Sequence, residues 1–244
     1  MASRVAILLS AALAAAPAAA LTGASPAADQ DRSAVMILNE GGGFCTAVAL
    51  DRRTLLTAGH CVAGGRAMRV HWREGGQPAF ASPASATAHP EFSRDAVRTR
   101  RRSIDLGLVR LAEPLPQRFS PATLSAGAPP ATGEAVTALG FGPTNRRDPS
   151  TAGTMRRAEL SAIAPYGPSK ILLWASSPSA GICPGDSGGP MLDAAGRVVA
   201  ITAWGGTGGA SGCAGPAQGV LVGPQRAWID RILAGWGARA RWEQ

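Results

Sequence analysis

Short apolar or alternating runs recur along the chain at 34–38, 44–50, 54–57, 67–72, 106–111, 135–141, 171–174, 198–204 and 218–222. Gly, Pro, Asp and Ser separate them, and runs of this length and spacing predict antiparallel strands. The periodicity changes once, near the end of the chain. There Trp228, Ile229, Ile232, Leu233 and Trp236 fall three and four apart behind Pro224. That spacing predicts a helix over about 224–236, with one apolar face docked on the body. The stretch 114–133 is rich in Pro, Ala, Ser and Gly and lacks a core-like run, so it reads as a linker between two halves. No internal repeat is present.

Composition narrows the class. Of 244 residues 45% are apolar and 16% charged, the reverse of a disordered chain. With 31 Gly and 19 Pro, long helices would be interrupted every few residues. The fold expected is therefore all-β, as one large unit or two small domains. Residues 1–20 read as a secretory signal: Arg4, an apolar run over 5–16, and Ala18-Ala19-Ala20 ahead of a mature start at Leu21. That run is too short to cross a hydrocarbon core of about 30 Å at about 1.5 Å per residue. A soluble product in a secreted or periplasmic location follows. Cys45, Cys61, Cys183 and Cys213 suit an oxidising compartment. Four cysteines allow three pairings, and the sequence does not choose among them, although Cys45 with Cys61 and Cys183 with Cys213 close the shortest loops. A zinc site would need ligands two to four residues apart, and the close pair His60 and Cys61 is adjacent. No metal and no cofactor is called for.

The densest chemical signal is Cys183-Pro184-Gly185-Asp186-Ser187-Gly188-Gly189-Pro190, a hydroxyl set among glycines that let backbone N–H groups approach a reacting oxygen. Serine is a weak nucleophile unless a base stands within hydrogen-bond reach and a third group orients that base. The chain has three histidines, at 60, 71 and 89, all ahead of Ser187. An α/β-hydrolase elbow places its histidine after its serine, so that reading falls. The order histidine, aspartate, serine fits best; His71 and His89 match nothing.

Three segments together, Leu55-Leu56-Thr57-Ala58-Gly59-His60-Cys61, Ser103-Ile104-Asp105-Leu106-Gly107-Leu108-Val109 and Gly185-Asp186-Ser187-Gly188-Gly189-Pro190, resemble the signatures of trypsin-like (chymotrypsin-fold) serine proteases, here of a secreted bacterial type. The resemblance implies two six-stranded antiparallel β-barrels with a C-terminal α-helix. It assigns 21–118 to a barrel carrying His60 and Asp105, and 119–244 to a barrel carrying Ser187 and the helix. It implies Ser187 as nucleophile, His60 as general base, Asp105 as the carboxylate that orients His60, and the N–H groups of Gly185 and Ser187 as the oxyanion hole. It pairs Cys45 with Cys61 and Cys183 with Cys213. The substrate pocket would be lined by Gly181, Ile182, Ala203, Trp204, Gly205 and Gly219, with Gly205 and Gly219 leaving it open. Gly181 stands where an acidic base would select Arg or Lys, so the residue before the scissile bond is expected to be uncharged, small to medium apolar or aromatic; acidic selectivity is the alternative. The α-amino group of Leu21 would pair with Asp186 to activate the enzyme, or Arg156 or Arg157 would neutralise that carboxyl. A polypeptide is the expected substrate and a monomer the expected state. Arg94, Arg98, Arg100, Arg101 and Arg102, with a net charge of +8, offer a contact for polyanions. The competing class is a catalytically silent protease-fold binding protein that uses this basic surface.

Overall fold

The structure, a computed structural model, describes residues 25–26, 32–65, 67–99 and 101–244. The signal segment 1–20, Leu21 and Arg100 lie outside the described residues.

The first sheet is built from β2 (Ala34–Asn39), β3 (Phe44–Asp51), β4 (Thr54–Thr57), β5 (Met68–Glu74), β6 (Gln77–Ala81), β7 (Pro83–Ala88) and β8 (Gly107–Leu111). It runs in the order β6-β5-β2-β3-β4-β8-β7. β6 pairs β5, and β7, after Ser82, pairs β8. Together β6 and β7 act as one bent strand that closes the sheet into a barrel of six, all of its pairings antiparallel.

The second sheet holds β1 (Ser25–Pro26), β9 (Thr123–Ser125), β10 (Ala135–Gly140), β11 (Arg156–Ile163), β12 (Leu172–Ser176), β13 (Pro190–Leu192), β14 (Val198–Gly205), β15 (Ala217–Leu221) and β16 (Arg241–Glu243). β13 pairs both β10 and β14, which closes β10 to β15 into a ring of six. β1 adds to β11, and β9 joins β14 and β16 in parallel. These two parallel pairings lie outside the antiparallel rings.

The expected linker is more structured than its composition suggested: β9 lies inside it, and Leu115, Phe119 and Leu124 are buried. Isolated apolar residues at wide spacing anchor it without forming a run. The expected helix begins as a 3-10 turn at Gly223–Gln225 and continues as α3 (Arg226–Gly235). Its Trp228, Ile229 and Leu233 share one core with Leu56, Leu106 and Leu108 of the first barrel and Val198, Ile201 and Val220 of the second. That core clamps the barrels together, and the candidate site lies at their junction.

Candidate active site

The site is assembled from both barrels. Leu55 and Leu56 bury β4 completely, which fixes the short helix α1 (Gly59–Val62) that follows it and carries His60. Asp105 sits between buried Ile104 and Leu106 at the entrance to β8. Its Oδ1 accepts the backbone N–H of His60 at 2.8 Å and its Oδ2 lies 2.7 Å from His60 Nδ1. A carboxylate accepts only, so Nδ1 carries the proton and Nε2 keeps a free lone pair. The His60 side chain is 37% exposed and that of Asp105 18%, so the orienting bond is shielded while the imidazole meets solvent.

Ser187 lies half-buried in the loop that leads into β13. Gly188 N–H donates to Thr202 O at 2.7 Å, Thr202 N–H to Gly189 O at 2.9 Å and Thr46 N–H to Ser187 O at 2.8 Å. Gly188 has φ +83°, and a Cβ there would stand 2.1 Å from Thr57 Oγ1 and 2.2 Å from Thr46 O. Only glycine lets the loop sit this close to the first barrel. The Cys61 sulfur touches Ser187 O at 3.9 Å; being disulfide-bonded it has no proton to donate, so this is van der Waals contact. The serine backbone is thus seated against the neighbour of His60. Among the described residues, the N–H groups of Gly185 and Ser187 have no protein acceptor.

Thr46 was not singled out by the sequence. Fully buried on β3, it donates its hydroxyl to Gly185 O at 2.9 Å and accepts Phe141 N–H at 3.1 Å. It pins the glycine loop from the opposite barrel. A threonine inside an apolar strand carries no motif, and the signal available was a polar residue at a core-facing position directly after Cys45.

Asp186 is fully buried, accepting Gly142 N–H at 2.7 Å and Cys183 N–H at 2.8 Å. Burial pushes its carboxyl up to about 7, against the opposing pull of the two N–H groups and the Arg156 charge. Arg156 donates to Thr151 O at 2.9 Å and Thr154 O at 3.1 Å. No ion pair joins it to Asp186 among the described residues, so it acts only at a distance. Its backbone pairs with β1, a few residues downstream of Leu21.

Among the residues expected to line the pocket, Gly205 lies against Ile182, and three of the glycines have backbone packed closely by the fold. A Cβ at Gly181 would stand 2.0 Å from Cys213 O, one at Gly205 2.8 Å from Ile182 Cβ, and one at Gly219 2.8 Å from Met191 Sδ. Gly205 on β14 therefore packs against Ile182 in the loop ahead of Cys183. Ala203 and Trp204 line a cleft beside His60. Disulfides join Cys45 to Cys61 and Cys183 to Cys213. Among the described residues, the one grouping within metal-ligand reach is Cys45, His60 and Cys61, and its two sulfurs are bonded to each other. Of the arginines, Arg94 donates to Ala63 O, Arg98 pairs with Asp95 and Arg102 with Glu91, while Arg101 is exposed. The basic cluster is partly neutralised by its own loop. No helix of the described residues is long and apolar enough to cross a membrane.

Known proteins similar in sequence and fold bear on the family. A snake venom serine protease, HS114, of Bothrops jararaca is 29% identical over 226 residues, covering 85% of this chain and 84% of its own. Trypsin iota of Drosophila melanogaster is 27% identical over 179 residues, covering 66% and 68%. Both are animal proteins, so they lend no support to a bacterial type. The structure of neuropsin, a serine protease expressed in the limbic system of mouse brain, superposes with a TM-score of 0.70 at 21% identity, covering 86% of this chain and 98% of its own. At that identity the likeness speaks for the fold. The family profile described as Trypsin matches residues 21–229, and over that span the chain belongs to the trypsin family of serine endopeptidases.

Proposed function

We propose that the protein is an exported endopeptidase that cleaves peptide bonds through Ser187, His60 and Asp105. His60 Nε2 takes the Ser187 hydroxyl proton as Oγ attacks the substrate carbonyl carbon, and the N–H groups of Gly185 and Ser187 hold the oxyanion. His60 then gives the proton to the leaving amine as the C–N bond breaks. Water hydrolyses the acyl-enzyme by the same route in reverse. The observation that carries this reading is the two-point contact of His60 with Asp105, which leaves Nε2 as the acceptor. The unpartnered N–H pair beside Ser187 supports it.

The residue before the scissile bond is uncharged, small to medium apolar or aromatic, because Gly181 offers no carboxyl to pair with Arg or Lys. Acidic selectivity has no cation at this slot among the described residues to support it. Activation follows signal removal at Leu21, whose α-amino group pairs with Asp186; the buried carboxyl without a contacting cation supports this. The binding-protein alternative is not favoured, because Arg98 and Arg102 are paired with carboxylates of their own loop. Polyanion contact then rests, among the described residues, on Arg94 and Arg101, which pair with no carboxylate. The test is digestion of a proteome-derived peptide mixture by the mature protein beside Ser187→Ala. Cleavage after uncharged apolar or aromatic residues, lost in the variant, is the expected result. Peptides left intact by both proteins, or a dominant preference for Arg or Lys, would overturn the reading.

A further inference from the structure

Residues 230–244 lie beyond the span 21–229 matched by the family profile, and they help build a concavity of their own. Gly237, at φ +68°, ends α3 by donating to Ala234 O at 3.0 Å, and Ala238 N–H donates to Leu233 O at 2.9 Å. A glycine in the left-handed region turns the chain back at a helix end. The returning tail buries Ala238 and sets β16 beside β9, with Trp242 opposite Leu124. Between α3 and this tail opens a pocket of about 470 Å³, with Arg226, Asp230, Ala234, Ala238, Arg239 and Trp242 among its walls. Its size is that of a ligand pocket, and it shares no lining residue with the cleft beside His60.

The polar walls are already arranged. Asp230 Oδ1 accepts the Trp242 indole N–H at 2.8 Å and its Oδ2 accepts Arg226 Nε–H at 3.3 Å, while the Arg226 guanidinium stands 5.1 Å from the Trp242 ring centroid. Both carboxylate oxygens are engaged and Arg226 balances their charge, so the pocket offers a cation little. Arg226 meets Asp230 through Nε, which leaves its terminal nitrogens as donors. Arg239 is exposed and makes no hydrogen bond or ion pair among the described residues. Two guanidinium groups against one carboxylate leave one positive charge to be met. The remaining walls are alanine, glycine and the indole, mostly apolar and too small to fill the space.

We propose that this pocket binds a compact organic anion: one carboxylate, held by Arg239 and the terminal nitrogens of Arg226, on an apolar body lodged against Trp242 and the alanines. A guanidinium fork matches a carboxylate in shape and in charge. A concavity with one net charge suits such a ligand better than a polyanion. A free aliphatic or aromatic acid and the C-terminal residue of a peptide both carry this chemistry. The site stands independently of the endopeptidase reading above.

The test uses the mature protein carrying Ser187→Ala, so that no peptide probe is consumed, in salt of about 0.15 M to screen loose charge attraction. Calorimetry is run with 2-naphthoate and with N-acetyl-Ala-Phe, each beside its amide. The acids should bind with a Kd of about 1 mM or tighter, and the amides at least about tenfold more weakly. At about ten times Kd the acids should raise the thermal midpoint by about 3–5 °C. Arg239→Gln, at an exposed side chain, should weaken the acids about tenfold or more and leave the midpoint of the unliganded protein unchanged. Ala234→Leu keeps a strong helix former and fills the pocket, so it should abolish binding. Arg101→Gln removes the same charge from the loop ahead of Asp105 and should change nothing. Binding of one acid without the other identifies which of the two sources the pocket takes. Acids and amides binding alike, affinity unchanged in either pocket variant, equal weakening by Arg101→Gln, or no binding of either acid at about 10 mM would overturn the proposal.

Discussion

The two barrels contribute to the site in different currencies. The first offers side chains: His60 and Asp105 hydrogen-bonded to each other, and Thr46 reaching across to the glycine loop. The second offers backbone and the space beside it: Gly181, Gly188 and Gly205 stand where any Cβ would collide. Substitution of His60 or Asp105 in the first should therefore cost chemistry before stability, and of these glycines in the second, stability before chemistry. Asp105→Asn gives the largest effect on this view. An amide can present its NH2 to Nδ1 and stabilise the wrong tautomer, so kcat should fall about 10⁴-fold with the thermal midpoint nearly unchanged. Turnover and melting measured on one preparation check both halves of the claim.

Asp186 is the second barrel's counterpart to Asp105, and it differs in being fully buried. Its pKa, about 7 in the folded state against an ordinary 3.8, means the folded state holds a proton that the unfolded state releases. Stability then declines as pH rises from about 4 to about 7 and is flat above, at up to ~1.4 kcal/mol per pH unit. A chain carrying extra residues ahead of Leu21 should show this decline in unfolding free energy, and Asp186→Asn should abolish it. A chain beginning at Leu21 should lose the slope because its new ammonium holds the carboxylate charged. Identical slopes in the two chain forms would remove the pairing between Leu21 and Asp186.

Gly181→Asp sharpens the contrast further. An aspartate there would ordinarily invite Arg or Lys, but its Cβ would fall 2.0 Å from Cys213 O. The expected outcome is a loss of about 1–3 kcal/mol from overpacking, read by denaturant unfolding, and no gain of cleavage after Arg or Lys. Thr46 is the one place where the first barrel holds the second barrel's loop. Thr46→Val leaves Gly185 O and Phe141 N–H without their buried partner, and should cost about 1–3 kcal/mol of transition-state stabilisation, seen in kcat with KM little changed. Thr46→Ser should restore it.

The same contrast explains what was legible in the sequence. Every run read as a strand became one, because Val, Ile and Leu fill those positions. β6 and β7, read as nothing, are built from Ala, Ser and Pro with mostly exposed positions; they form because β5 and β8 offer edges to pair with. β11 buries Ala158, Leu160 and Ala162 on alternate positions, a pattern weakened by its small side chains. His60, Asp105 and Ser187 were legible because their neighbours are peculiar to them. The pocket was not. Gly205 in sequence says only that a side chain is missing, and its approach to Ile182 depends on how the loop ahead of Cys183 folds back on β14.

The smallest effect is expected from a hydroxyl the fold does not use. In the first barrel Thr46 and Thr57 are fully buried and both hydroxyls are engaged, Thr57 Oγ1 donating to Thr46 O at 2.7 Å. In the second, Thr202 is equally buried but its Oγ1 has no partner among the described residues. Its backbone holds Gly188 and Gly189, so the residue is needed for its main chain and not for its oxygen. Thr202→Val keeps the shape and removes an unsatisfied polar atom, which should raise stability by about 1 kcal/mol. For a chain of this length that corresponds to about 2–4 °C in the thermal midpoint. The matching change Thr57→Val should lower it instead, since Thr46 O would lose its donor. Opposite signs for one chemical substitution in the two barrels would confirm that the first is organised by its side-chain hydrogen bonds and the second by its backbone; equal signs would refute that division.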